Sequence, residues 1–328
     1  MWSDWKVYER GGAIFSALEP HTDWLKRRVK RRECYNVDRA FYGFKGQHLY
    51  WCYSQSEYHD QGVKWIKHWV KSGVQGDYFQ LGKERYAICR AQLLRYFQMP
   101  LSTDSAGLLN RFDTVHKLLL LHTRQLGISI DAFDDYFGEV FAKALRRAGY
   151  GKVVENKKDW AILQQAAYRS AVMEYKLALK NLAEIQSPTR RRLDLQRIWK
   201  KYFWLTMGWS GTRPLETADI VKERQAIKDD RNALRQYAQK IAKQRRKVIS
   251  KWKIPAQIVQ PYVRVLDAFA RLHDERKEIQ MRTLYAMDEV RRAAAKQYRV
   301  PLEKVQWLTI EETRVFIKTG KLPRAIIA

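Results

Sequence analysis

Residues 220–293 read IVKERQAIKDDRNALRQYAQKIAKQRRKVISKWKIPAQIVQPYVRVLDAFARLHDERKEIQMRTLYAMDEVRRA, and this stretch decides the fold class. Ile220, Ile227, Leu234, Ile241 and Val248 recur every seventh residue. After Pro255 and Pro261 the same spacing returns in Val265, Leu272, Ile279, Ala286 and Ala293. Two long helices, each with a narrow apolar stripe and joined by a short connection, predict an antiparallel helical hairpin. Arg224, Arg231, Arg245 and Arg276 fall where a second stripe residue would sit, and the cost of burying a lone charge places them at the rim. Each buried aliphatic contributes about 1.5–3 kcal/mol before entropy is subtracted, enough to hold a hairpin against the rest of the protein.

Upstream, helical spacing continues. Val63, Ile66 and Val70 mark one helix, and Leu81 to Phe97, Ala106 to Leu126 and Ile130 to Ala148 mark three more, divided at Pro100 and Gly127. Trp160, Leu163, Ala167, Ala171, Ala178 and Leu182 predict one long helix that stops at Ser187-Pro188. A further helix runs from Arg190 to about Leu205 and gives way to a loop over Thr206 to Pro214. Past Pro301, Thr309 and Glu312 form a capping-box pattern, with Gly320 as the stop and Pro323 beyond it.

The first sixty residues differ. Arg39 to Phe44 and His48 to Tyr53 are aromatic runs around Lys45-Gly46-Gln47 and predict a β-hairpin. Gly11-Gly12 precedes a short apolar run, Ala13 to Leu18. The fold class expected is therefore mainly α: a helical bundle with a long antiparallel hairpin and a small N-terminal β-containing segment. Three units are expected, at 1–60, 61–212 and 213–328.

Charge is the strongest bulk signal. Against 62 Lys and Arg stand 35 Asp and Glu, a net charge of +27. Such a field attracts polyanions. Its densest point is Lys26, Arg27, Arg28, Lys30, Arg31 and Arg32, the candidate polyanion contact, with Trp24 and Tyr35 nearby for base stacking. No run approaches the roughly 18 apolar residues of a membrane span, and Met1 to Arg10 lacks the apolar core of a signal peptide. Cys34, Cys52 and Cys89 are too sparse for a disulfide framework, which fits a reducing, cytoplasmic setting.

No catalytic or metal-ligating set can be assigned. Gly208-Trp209-Ser210-Gly211-Thr212 lacks the lysine of a phosphate-gripping loop, and no nucleophile elbow, zinc-protease helix or dinucleotide fingerprint occurs. Cys52 with His59 is the nearest approach to a metal pair. His273 beside Asp274, and the trio Asp134, Asp135 and Glu139, fit solvated helix faces better than a site, because adjacent helical residues do not face one another.

A resemblance adds to this reading. Asp274-Glu275-Arg276-Lys277, then Val305-Gln306-Trp307-Leu308-Thr309-Ile310-Glu311-Glu312, then Gly320-Lys321-Leu322-Pro323, resemble the helical segment that precedes the swivelling phosphohistidine domain of phosphoenolpyruvate synthases. Tyr202-Phe203-Trp204-Leu205 with Gly211 and Pro214 resembles an aromatic loop of short relatives, which often carry a histidine near the place of Trp199. The likeness covers about residues 190 to 328. It implies a phosphotransferase family in which ATP, with Mg, phosphorylates a histidine on a swinging domain that then serves pyruvate. None of the family's catalytic residues has a counterpart here, so no cofactor is expected in this chain. The expected function is a non-catalytic helical scaffold for a swivelling phosphohistidine domain, its expected partner. The alternative is a basic helical nucleic-acid-binding protein, and a free-standing enzyme with an unrecognised site is a third possibility.

Overall fold

The protein, in a computed structural model, is mainly helical, and the structure describes residues 5–11, 40–45, 48–207, 214–227 and 230–323. Three strands come first: β1 (Trp5–Gly11), β2 (Ala40–Lys45) and β3 (His48–Ser54). β3 lies in the middle, antiparallel to both neighbours, with Val7 opposite Cys52 and Phe41 opposite Cys52 on the other side. The helices follow as α1 (Gln55–Ser72), α2 (Asp77–Gln98), α3 (Ser105–Arg147), α4 (Gly151–Glu155), α5 (Lys157–Leu163), α6 (Ala171–Ala183) and α7 (Pro188–Tyr202). A 3₁₀ turn (Phe203–Thr206) leads on to α8 (Thr217–Ala226), α9 (Arg231–Lys251), α10 (Ala256–Tyr298), α11 (Leu302–Gln306) and α12 (Ile310–Thr319).

The spine is a pair of helices, α3 and α10, each of 43 residues and so about 65 Å long. They run antiparallel. At one end Phe141 stacks on Tyr262, ring centroids 4.7 Å apart. Further along, Phe133 lies parallel to Phe269 at 3.9 Å. Beyond that the Arg291 guanidinium lies 5.7 Å from the Phe112 ring, and at the far end the Ser105 and Tyr298 hydroxyls are 2.9 Å apart. Two apolar clusters lie along this seam. One gathers α1, α3, α5 and the first half of α10 around Trp65, Trp69, Phe133 and Phe269. The other gathers α2, α3, the 3₁₀ turn, α11 and α12 around the second half of α10. Both draw on residues from either side of position 212.

The expected hairpin is corrected on this point. The long antiparallel partner of α10 is α3, and α9 lies against α5 and α6. Nor does a single helix carry the stripe from Ile220 to Val248. α8 ends at Ala226, and Asp230 starts α9 by accepting from the amides of Asn232 and Ala233 at 2.9 and 3.3 Å. An aspartate that caps its own chain favours a helix start over a helix interior. Arg245 also departs from its expected place at the rim. Its side chain is 5% exposed and forms a two-pronged pair with Asp267, at 3.0 and 2.9 Å, plus a bond to the Gln165 carbonyl.

Two helix boundaries differ as well. Gly127 sits inside α3, because one glycine costs a helix only about 1 kcal/mol and the flanking packing outweighs it. The single helix expected over residues 160–182 breaks between α5 and α6. Carboxylates of α10, seven residues apart, hold the break open: Asp267 accepts from the Ala167 amide and Asp274 from the Ala171 amide, both at 2.7 Å. Those amides would otherwise bond within the helix.

The last unit is locked to the spine. In α12 the Thr309 hydroxyl accepts from the Glu312 amide at 3.2 Å, and the Glu312 carboxylate accepts from the Thr309 amide at 2.9 Å. Arg314 reaches Asp113 of α3 at 2.7 Å. Gly320 ends α12 with φ of 70°, and a Cβ there would lie 2.6 Å from the Tyr298 ring, so glycine is required both by the backbone and by the contact.

Candidate functional site

The residues singled out from sequence scatter. Lys26, Arg27, Arg28, Lys30, Arg31 and Arg32 lie outside the described residues, as do Gly208 to Thr212. Cys52 is buried and its thiol is pushed up by burial. His59 bonds to Glu139 at 3.0 Å, and that bond raises its pKa, so it is held by α3. Tyr58 donates to Asp135 at 3.4 Å. His116 lies against Arg314, 3.1 Å away. His273 is exposed, while Asp274 turns the other way to hold the Ala171 amide. No histidine–carboxylate dyad forms at this position, as the helical geometry requires. Among the described residues no group of three or more His, Cys, Asp or Glu side chains is gathered closely enough to hold a metal ion.

The structure instead concentrates polar side chains on the middle of α10, between the two apolar clusters. Tyr86 of α2 donates to Glu278 at 2.9 Å, and Arg282 donates to the other Glu278 oxygen at 2.9 Å. Arg282, 8% exposed, continues to the carbonyls of Lys201 and Lys200 at 2.7 and 3.1 Å and covers the Phe203 ring at 4.9 Å. It thereby satisfies the carbonyls at the end of α7, where a cation also suits the helix dipole. One turn earlier, burial raises the Glu275 carboxyl to about 7, outweighing the cations Arg271, Lys83 and Arg90. One of its oxygens is buried without a hydrogen-bond partner among the described residues. Sequence spacing gave no sign of this network, because its members lie on three helices.

A groove opens beside it. Arg90, Leu93, Leu94 and Phe97 of α2, Arg197, Lys200 and Lys201 of α7, and Glu278 and Arg282 of α10 enclose about 250 Å³. Five cations meet one carboxylate, and both oxygens of that carboxylate are already engaged by Tyr86 and Arg282. Arg90, Arg197, Lys200 and Lys201 are exposed, and Leu94 is left 51% exposed. A groove so lined can hold an anion with an apolar part. A second cavity, of about 980 Å³, has Tyr285, Glu289, Arg292 and Lys296 of α10 along one side and Leu101 to Thr103 among its other lining residues. Arg292 there is bound to Asp288 at 2.9 Å, and the Ser102 hydroxyl donates to the Asp104 carboxylate at 2.7 Å. The outer face of α9 presents Lys240, Lys243, Arg246, Lys247 and Lys251, all exposed.

No helix among the described residues is long and apolar enough to cross a membrane. Comparison with family models, with curated proteins and with solved structures found no match for this chain.

Proposed function

We propose that this chain is the non-catalytic helical portion of a phosphoenolpyruvate synthase-like phosphotransferase, a mount for a swivelling phosphohistidine domain. The observation that carries the reading is the resemblance of residues 190–328, Asp274 to Lys277 and Val305 to Glu312 above all. The architecture is in keeping with such a role. Asp274 to Lys277 lie on the central helix α10, and Val305 to Glu312 run from the end of α11 into the first turn of the capped helix α12, which Arg314 pins to α3. A mount needs that rigidity and needs no reactive group of its own. ATP and Mg would serve other parts of such an assembly. The test is to sequence the transcript beyond the Ala328 codon and to purify the chain from its source with whatever accompanies it. A Gly-rich, histidine-bearing segment, in frame or on a co-purifying chain, supports the reading. A stop codon at that point together with no such companion contradicts it.

A second reading, a basic nucleic-acid-binding protein, is favoured by one specific observation: the cation-lined groove between α2 and α7. Binding to single-stranded RNA that weakens steeply with salt would support it, because each neutralised phosphate releases condensed counterion. Absence of binding even at low salt would rule it out.

A further inference from the structure

We infer that the groove between α2 and α7 seats one nucleotide of a single-stranded RNA, the base against Leu94 and Phe97 and the flanking phosphates on Arg90, Arg197, Lys200 and Lys201. The inference rests on the nucleic-acid reading and names its site.

Size selects the ligand first. A space of about 250 Å³ takes a single flat group. A helix, about 10 Å across, needs a longer trough. The lining selects next. Leu93 is buried and gives the floor, while Leu94 and Phe97 offer apolar surface at the mouth. Phe97 is held edge-on by Tyr96 and Phe203, with centroids 5.2 and 5.9 Å away, so its ring is fixed before any ligand arrives. A fixed aromatic ring beside a leucine accepts the face of any base.

Charge gives the third argument. α7 carries Arg190, Arg191, Arg192, Arg197, Lys200 and Lys201 against one acid, Asp194. Asp194 lies nearest Arg197, at 2.8 Å, and Lys200 and Lys201 form no ion pair with a described carboxylate. Glu278 does not compete for these cations, since Arg282 and Tyr86 occupy it. Arg282 is itself fixed by Glu278 and the Lys200 and Lys201 carbonyls, so the groove wall is rigid and positive. A chain of phosphates matches a row of cations along a helix better than a single anion does.

The experiment is a titration of the full chain with fluorescein-labelled oligouridine of about 12 nucleotides, a length within the usual footprint of such sites, at several salt concentrations. Three variants accompany it. R197Q/K200Q/K201Q should weaken binding at least tenfold and flatten the salt slope by about 2, since single strands release about 0.7 counterion per phosphate. Leu94→Ser should weaken binding about fivefold and leave the slope unchanged. K240Q/K243Q/K247Q, on the outer face of α9, should change neither by as much. All replaced residues are exposed, and thermal melts establish that each variant folds. If RNA binds but the groove variants behave like the α9 control, the inference fails and the nucleic-acid reading stands. If no RNA binds at low salt, both fail. Uridine monophosphate binding as tightly as the oligomer would overturn the strand as the ligand.

Discussion

Helices α9 and α10 carry the same seven-residue spacing and meet different surroundings. α9 buries Leu234, Ile241, Arg245 and Val248 and leaves a basic face to solvent. α10 between Ile279 and Ala295 is buried on most sides, taking in Gln280, Met281, Arg282, Thr283, Asp288 and Arg291 with the aliphatics. A stripe of apolar residues records one contact face; it does not count the neighbours. A helix that is enclosed must find partners for its polar residues, and α10 does so through Glu278, Lys200, Lys201, Thr313 and Phe112. The narrow stripe of α9 is therefore sufficient for a peripheral helix, and the polar residues of α10 mark it as central.

The sharpest break between the two helices should come at Phe269. Its ring meets Phe133, Trp69, Tyr78 and Phe79. Phe269→Ala should destabilise the protein by roughly 3–5 kcal/mol, measured as a shift in the chemical-denaturation midpoint. A loss under about 1 kcal/mol would mean that α10 is not the spine. Arg245→Ala comes next, at about 3 kcal/mol. It removes the cationic partner of Asp267 and frees the Gln165 carbonyl, but Asp267 keeps the Ala167 amide, is one-third exposed and can be rehydrated. Leu234→Ala, on the thin stripe of α9, should cost about 2 kcal/mol, the low end for a buried leucine. An equal or larger loss than at Phe269 would reverse the ranking of the two helices.

A pH dependence is expected within the polar middle of α10. Glu275 ordinarily titrates near 4.5 and is raised to about 7 in the folded chain. The folded state then holds this proton more tightly than the unfolded state. Its contribution to stability is present below pH 4.5 and is lost as pH rises through about 7. Glu275→Gln removes that dependence, so the wild-type midpoint should fall relative to the variant's between the two pH values. Parallel profiles would show that the carboxyl is not raised.

Much of the helical character was legible in the sequence, because apolar spacing and caps are local signals. The reciprocal bonds of Thr309 and Glu312 start α12, where the capping-box pattern predicts it, whereas Ser187 and Pro188, which the sequence marks as a stop, cap and open α7. The partners were not legible. Nothing local distinguishes a stripe on α10 that meets α3 from one that meets α9, and the deciding contacts, such as Phe133 with Phe269, join residues far apart in the chain. The break between α5 and α6 was hidden for the same reason: Asp267 and Asp274 hold it from another helix. The cationic groove was equally invisible, since Arg90 and Lys200 stand in runs that read as ordinary solvated faces until α2 and α7 come together.

The pairing of α3 with α10 is tested most directly by a double-mutant cycle on Phe133 and Phe269, whose rings lie 3.9 Å apart and within 4° of parallel. Phe133→Leu, Phe269→Leu and the double variant are compared by denaturant unfolding. The antiparallel spine predicts a coupling of about 1 kcal/mol, as for rings in contact. Losses that add to within about 0.3 kcal/mol would contradict it, because residues that do not touch do not couple.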